Sequence, residues 1–510
     1  MYRTGGVTAM RTVGSNVHRV VVVGAGLSGL AAALHLAGRG CAVTVVERGH
    51  HPGGRVGRLD IDGYRLDTGP TVLTMPDIID DVFAAVGESL SDRLALRPVD
   101  PAYRASFADG STVDVHADRD AMAAEVERFA GRADADGYLR LRDWLTRLYR
   151  LEIDTFIGAN FDSPLALLRP QLVRLATAGG FRGWDRMVAR FITDERLRRV
   201  FTFQSLYAGV APQKALAAYA VIAYMDTVSG VYFPAGGMRA LPDALAAAAR
   251  RAGVEFRYGA PVCGLERNWG RVTAVHTGAG ERVAADAVVL TTELPETYRL
   301  LGRTPRRLLP LRPAPSAVVA HVGCRATGDV GHHTILFGDA WTQTFRDIVD
   351  DGRLMSDPSL LVTRPTAGDP SLAPDGRDLL YILAPAPNTA VGKLDWTGIG
   401  SGYAEHMLQL VTERMPALGH DTELLHVIDP AGWARKGMLA GTPFALSHTF
   451  GQTGPFRPGN TVRGIDNVVL AGGSTVPGVG VPTALLSGRL AADRITGAGT
   501  RRRDHRVVRT

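Results

Sequence analysis

Residues 19–47 read RVVVVGAGLSGLAAALHLAGRGCAVTVVE. The β-branched run Val20 to Val23 enters a turn that carries Gly24, Gly26 and Gly29. A small-residue helix starts near Leu27, and a second strand, Ala42 to Val46, ends on Glu47. Strand, glycine turn, helix, strand and acid stand in the order that a dinucleotide-binding βαβ unit requires. Gly24 makes the tight turn. Gly26 lets a pyrophosphate reach the backbone at the helix N-terminus, where free N–H groups and the macrodipole favour an anion. Gly29 lets the helix lie close on the strand, and Glu47 is placed to accept hydrogen bonds from ribose hydroxyls.

The residues that follow narrow the choice of dinucleotide. Arg48, then Gly53, Gly54 and Arg55, then DGYRLDTGPTV at 62–72 form a second glycine-arginine cluster. A nicotinamide enzyme has no use for it. In FAD proteins of the glutathione-reductase type such a cluster brings more backbone and one guanidinium to the pyrophosphate and flavin. An arginine fork suits a diphosphate because it donates two parallel bonds. Gly69, Pro70 and Thr71 close this cluster.

The far end of the chain repeats the theme. In NVVLAGGSTVPGVGVPTALLSGRLAADRI, 467–495, a strand over Val468 to Ala471 enters Gly472 and Gly473. A helix then opens around Val481, Pro482 and Thr483. Proline fits the first helical turn because its missing N–H has no partner there anyway. That helix N-terminus is expected to face the flavin N1/O2 edge and favour negative charge on reduced flavin. Between the two ends, 231–262 reads as strand, turn, helix and strand, and 270–292 as a hairpin feeding another sheet strand. Val262 sits where backbone commonly contacts adenine.

The expected fold class is therefore α/β: a glutathione-reductase/amine-oxidase-type FAD fold with a discontinuous Rossmann-like domain and an α+β substrate domain. The FAD-binding domain is expected over 18–90, 231–295 and 456–497. The substrate domain is expected over 91–230 and 296–455, and basic tails over 1–17 and 498–510. The stretch from about 75 to 230 reads as helical and arginine-rich.

Composition sets outer limits. The 510 residues give room for about two or three domains. The three cysteines, Cys41, Cys263 and Cys324, are far apart, which fits a reducing compartment and no disulfide framework. None follows Cys324, so a flavin linked through a cysteine near the C-terminus is not expected. The net charge of +6 is carried by the tails: 1–19 hold three arginines and no acid, and 501–510 hold five arginines and one aspartate. The body is thus near neutral, and a nucleic-acid face is not expected. The longest unbroken apolar stretch, Ala215 to Met225, has eleven residues between Lys214 and Asp226, against about 20 needed to span a bilayer. No secretory signal is expected in the first 18 residues. The expected location is cytoplasmic, peripherally associated with the cell membrane.

Further stretches carry a family resemblance. GPTVLTMP (69–76), FQSLYAGVAP (203–212), GVYFPAGGM (230–238), HHTILFG (332–338), DPSLAPDG (369–376), YILAPAPN (381–388) and FRPGN (456–460) occur in this order before GGSTVPGVGVP (472–482). Together they resemble the bacterial-type carotenoid (phytoene) desaturases over about residues 18–496. The resemblance implies a non-covalent FAD enzyme that introduces double bonds into a long isoprenoid, typically phytoene to lycopene. It implies substrate drawn from the bilayer, peripheral membrane attachment, and oxygen or a quinone as electron acceptor. The pattern departs from the family at Val476, at Thr291, Thr292 and Glu293, and at Gly459. An acid before residue 170 has been considered catalytic in relatives; Asp162 is the nearest candidate, although Pro164 competes for the position.

A carotenoid has no ionisable group, so the expected chemistry is hydride transfer to flavin N5 with proton loss from the neighbouring carbon. The cofactor performs the hard step and the protein orients. Phe203, Tyr207, Phe444 and Phe456 are candidate tunnel residues, with core packing as the other reading. Arg457 stands near the flavin or tunnel end, or makes a structural ion pair. His332 and His333, adjacent on a strand, point to opposite faces, and no metal site is expected. In 163–182, Leu165, Leu168, Leu172 and Leu175 fall at helical spacing with Arg169, Arg174 and Arg182. This segment reads as an interfacial helix, or as one docked on the protein's own core. Competing functions are a carotenoid isomerase, a soluble-substrate amine-oxidase-type enzyme and a non-enzymatic lipid carrier.

Overall fold

The computed structural model describes residues 10–14, 17–163, 170–305, 307, 310–326, 330–419 and 421–497. One six-stranded sheet has the order Thr461–Val462, Ile465–Leu470, Ala287–Leu290, Arg19–Val23, Ala42–Val46, Glu255–Arg257. Every neighbouring pair is parallel except the first. The sheet therefore gathers strands from the start, the middle and the end of the chain. The valine run at its centre is covered on both faces, as parallel strands are. Val20 and Val22 pack with the helix Leu27–Ala37. Val21 and Val23 pack under the hairpin Val262–Asn268 and Arg271–Thr277.

The last helix, Val481–Thr496, lies directly on the first. Gly488 makes this crossing possible: a Cβ there would stand 2.3 Å from the Ser28 carbonyl oxygen and 2.7 Å from the Ala32 nitrogen. The two ends of the sequence are thus bound to each other through bare backbone, and both helices deliver their N-termini to the same edge of the sheet.

A second, seven-stranded sheet has the order Thr422–Ile428, Ser316–Arg325, Arg377–Ala386, Leu360–Thr363, His333–Leu336, Tyr103–Ser106, Thr112–Val115. It is antiparallel apart from the His333–Leu336 and Tyr103–Ser106 pair. Side chains alternate across it. Val318, Ala320 and Val322 pack under the helix Trp396–Arg414, and Val319 faces the other way. A helical block that includes Arg132–Glu152 and Val221–Thr227 stands against the sheet edge, around Tyr103, Phe203 and Phe337.

Three strands lie inside the stretch that the sequence suggested was helical: Leu96–Val99, Tyr103–Ser106 and Thr112–Val115. Each is four residues long with charged residues on its open face (Arg97, Arg104, Asp114). Such short alternation is hidden among arginines until a partner strand supplies the other half. Leu96–Val99 pairs with Val231–Pro234, so this ribbon straddles the expected division at 230/231.

Candidate active site

A single cavity of about 1460 Å³ begins at the carboxyl ends of the parallel strands, at Val23 and Val46, and continues between the two sheets. The carboxyl end of an open parallel sheet is where this kind of fold binds ligands. Two glycine turns meet there. Gly26 pairs with Gly53 across an isolated bridge, and the Gly53 N–H donates to the Ala25 carbonyl at 2.9 Å. Gly54, at φ +59°, brings its backbone so near that a Cβ on it would stand 3.1 Å from the Gly26 Cα. A Cβ on Gly26 itself would meet nothing nearer than the Gly54 Cα, at 3.9 Å. The space beside Gly26 is therefore open cavity, while neighbouring glycines are closed in by protein. A Cβ on Gly29 would lie 2.0 Å from the Gly24 carbonyl oxygen, and one on Gly69 would lie 2.0 Å from that of Arg55.

Glu47 spans the mouth of the first turn. Its Oε2 accepts from the Ala25 N–H and its Oε1 from the Gly49 N–H, both at 2.7 Å. A carboxylate oxygen has two acceptor positions, so each retains one for a ribose hydroxyl. Val262, Pro261 and Cys263 form the wall beside it. Arg48 and Arg55 both line the cavity. Arg48 donates to the Lys436 carbonyl at 2.9 Å. Arg55 is paired with Glu293, whose other oxygen is 3.4 Å from the Ser474 hydroxyl. Glu293 thus links the arginine to the closing glycine loop. Pro70, Thr71, Gly473, Val481, Pro482 and Thr483 complete this half of the wall, together with Gly24, Gly54 and Gly69. Gly29 and Gly472 stand behind it. Gly472 turns the chain at φ +127° and donates its N–H to the Ser487 hydroxyl at 3.0 Å. An open glycine cradle, an acid at the ribose position and helix N-termini facing a long cavity fit FAD.

Beyond the cradle the walls become aromatic and aliphatic. Phe203, Tyr207 and Phe444 line this half with Ile335, Leu361 and Leu383. Phe203 stands edge-on to Tyr103 at 5.4 Å and to Tyr207 at 5.8 Å. Tyr207 keeps 37% of its surface accessible although protein encloses it, so that surface faces the cavity.

The comparisons with known proteins agree with this geometry. The sequence model of the flavin containing amine oxidoreductases matches residues 27–496. Phytoene dehydrogenase of Streptomyces griseus is 61% identical over 492 residues, covering 96% of this chain and 97% of that protein. The chain belongs to the bacterial carotenoid (phytoene) desaturase family. It is an FAD-dependent oxidoreductase of the amine-oxidase-type fold. A zeta-carotene-forming phytoene desaturase of Myxococcus xanthus is 38% identical over 489 residues, covering 94% of this chain and 93% of that one. Among solved structures, cyclohexylamine oxidase from Brevibacterium oxydans IH-35A has a TM-score of 0.58 at 16% identity, covering 94% of this chain and 99% of that one. At that identity the likeness concerns the fold alone.

The family resemblance and the structure differ on several side chains. Asp162 does not line the cavity. Its Oδ1 accepts from the buried Arg494 at 2.6 Å and its Oδ2 from the Arg11 N–H at 3.1 Å, so its place is a structural ion pair. Phe456 lies outside the cavity wall as well and packs at a tilt against Phe450, ring centres 5.6 Å apart. Arg457 is buried and outside the wall, and its partners are carbonyl oxygens: Gly473 at 2.6 Å, Thr475 at 3.0 Å, Leu446 and Gln452 at 3.4 Å. Among the described residues it makes no ion pair, and its partners form a carbonyl cage. Loss of hydration lowers its guanidinium to about 10. His332 and His333 turn toward each other, Nδ1 to Nδ1 at 3.2 Å, because Thr71 and Thr363 hold the far nitrogen of His333 at 3.3 and 3.4 Å. Burial keeps both rings neutral. Among the described residues no group of three or more His, Cys, Asp or Glu is placed to hold a metal ion.

Two acids that sequence reading passed over stand at this cavity. Glu152 ends the long helix Arg132–Glu152, is 1% exposed, and has no partner for its Oε1. Burial alone raises its carboxyl well above the ordinary range. Asp226 closes the apolar stretch 215–225, and burial raises it to about 7, partly offset by a hydrogen bond with Gln204. The one available signal was an acid at the end of an otherwise apolar run.

Proposed function

We propose that the chain is a carotenoid desaturase that converts phytoene, or a related carotenoid, to more conjugated products such as lycopene. The observation that carries this reading is the continuity of one cavity from the FAD cradle into a long pocket walled by Phe203, Tyr207, Ile335, Leu361, Leu383 and Phe444. Bound FAD supplies a two-electron acceptor at flavin N5. The chain holds an apolar substrate against it by burial, at about 25 cal/mol per Å² of apolar surface removed from water, and keeps water out. Oxygen or a quinone then takes the electrons. Anaerobic bleaching of the flavin by phytoene in liposomes, with no bleaching by primary amines, is the expected result. Bleaching by amines alone contradicts the reading.

The substrate dissolves only in lipid, so we propose a peripheral membrane face as its source. Among the described residues no helix is long and apolar enough to cross a membrane. Val173, on the helix Pro170–Thr177, and Phe181 are 58% and 41% exposed, and Arg174 and Arg182 are exposed beside them. Exposed apolar side chains among arginines suit an anionic lipid surface. Leu175 of the expected lipid face is instead 1% exposed in the protein core. Leu165, Leu168 and Arg169 lie outside the described residues, as does the side chain of Leu172. Changing Val173 and Phe181 together to Asp is expected to abolish flotation with anionic liposomes while the protein keeps its flavin. Unchanged flotation of the folded double variant would remove this face from the account.

A further inference from the structure

We propose that Asp226 is the group that accepts the proton when a carbon–carbon bond of the substrate is oxidised beside the flavin; this rests on the carotenoid reading above. The helix Val221–Thr227 lays Val221, Ile222, Met225 and Asp226 along the cavity wall. Positions i, i+1, i+4 and i+5 form one helical stripe, and Asp226 is its sole polar member. Asp226 keeps part of its surface accessible although protein encloses it, so that surface faces the cavity. The substrate pocket therefore contains a carboxyl group that ordinary packing does not require.

The other acids are less suited. Glu152 is 1% exposed, presents almost no surface to the cavity, and burial raises its carboxyl well above the ordinary range. Asp162 is spent on Arg494 at 2.6 Å, outside the wall. The titratable neighbours of Asp226 are Tyr103, on the strand Tyr103–Ser106, and Tyr207, after the turn Phe203–Leu206. Burial holds both phenols protonated, and Tyr103 donates its O–H to the Val200 carbonyl at 3.1 Å. Neither competes for the proton. Gln204 stands beside Asp226 and favours its ionised form, and its amide nitrogen donates to the Val200 carbonyl at 3.2 Å.

The chemistry balances. One C–H bond breaks with its electron pair passing to the oxidised flavin, which is reduced by two electrons. The neighbouring C–H bond leaves its pair behind to form the new C=C bond, and its proton goes to a carboxylate oxygen of Asp226. The proton then leaves for solvent before the next step. A carboxylate beside the chain also stabilises the positive charge that develops on the allylic carbons, and apolar surroundings strengthen that interaction. A base that titrates near the working pH is the effective kind, and burial has moved Asp226 there, to about 7.

The test uses the full-length, FAD-loaded protein and the variants D226N and D226E. Infrared titration without substrate should show a carboxyl band titrating near pH 7 in the wild type that is absent from D226N. Anaerobic flavin bleaching by phytoene in liposomes should rise with pH through the same midpoint, because only the carboxylate accepts a proton. D226N should bleach about 10²-fold slower or worse, with its flavin spectrum and phytoene retention unchanged. D226E should bleach faster than D226N with a displaced pH midpoint. Wild-type rates in D226N overturn the proposal. So does loss of flavin in D226N together with an unshifted profile in D226E, which assigns Asp226 to structure. A wild type that does not bleach at any pH overturns the carotenoid reading itself, and the proposal with it.

Discussion

Gly26→Val is expected to give a folded protein that purifies without flavin. In the structure a Cβ on Gly26 has no atom within 3.9 Å, so the side chain enters space that the protein itself leaves open. That space lies at the N-terminus of the helix Leu27–Ala37, opposite Gly54. A branched side chain there separates a pyrophosphate from the N–H groups that would bind it. Charge-assisted hydrogen bonds are each worth about 1.5–3 kcal/mol, so loss of two costs FAD affinity at least ~10²-fold. Gly29→Ala provides the contrast. Its Cβ lands 2.0 Å from the Gly24 carbonyl oxygen, so it damages the fold before it affects the cofactor. Flavin absorbance and thermal unfolding of the two variants separate these outcomes. A Gly26→Val protein that keeps full flavin would show that the cofactor lies elsewhere.

Arg457→Leu is expected to lower stability by about 2–6 kcal/mol and to release flavin faster. The guanidinium satisfies the buried carbonyls of Gly473 and Thr475 at 2.6 and 3.0 Å, with longer contacts to Leu446 and Gln452. An apolar replacement leaves the two short-range acceptors unpaired, at about 1–3 kcal/mol each. Gly473 borders the cavity beside Arg55, so loosening this loop reaches the cofactor site. Arg457→Lys, with one compact ammonium in place of a planar fork, should fall between wild type and Arg457→Leu. Denaturant midpoints and the rate of flavin loss read both effects. An Arg457→Leu protein of wild-type stability would contradict the carbonyl cage.

What was legible in the sequence is what a backbone requirement leaves behind. Gly24 and Gly29 answer to close approaches within the protein, Gly26 stands beside open cavity, and the valine run answers to burial on both faces. The sheet centre, and its distant partners at 287–290 and 465–470, follow from such marks. The short strands at 96–115 left a weaker trace, because each spans four residues with a single charged side chain, and alternation that short resembles chance. Side-chain partners left least. Any residue offers a carbonyl, so nothing in FRPGN announces that Arg457 will be held by carbonyls rather than by an acid. Asp162 looked chemical because it is an acid in the right region; only the tertiary fold brings Arg494 to it. Asp226 looked like the mere end of an apolar run, and it gained meaning once the helix Val221–Thr227 was placed along a cavity. Phe456 and Phe203 are alike in sequence, and their surroundings alone put one on the protein's flank and the other in the wall.

The most direct test of the central claim is pigment chromatography after the FAD-loaded protein is incubated with 15-cis-phytoene in liposomes, with and without an electron acceptor. More conjugated products are predicted, limited to about one desaturation per bound flavin without an acceptor and continuing beyond that only when an acceptor is present. Rearranged but equally conjugated products, or no product from a fully flavin-loaded protein, would contradict desaturation.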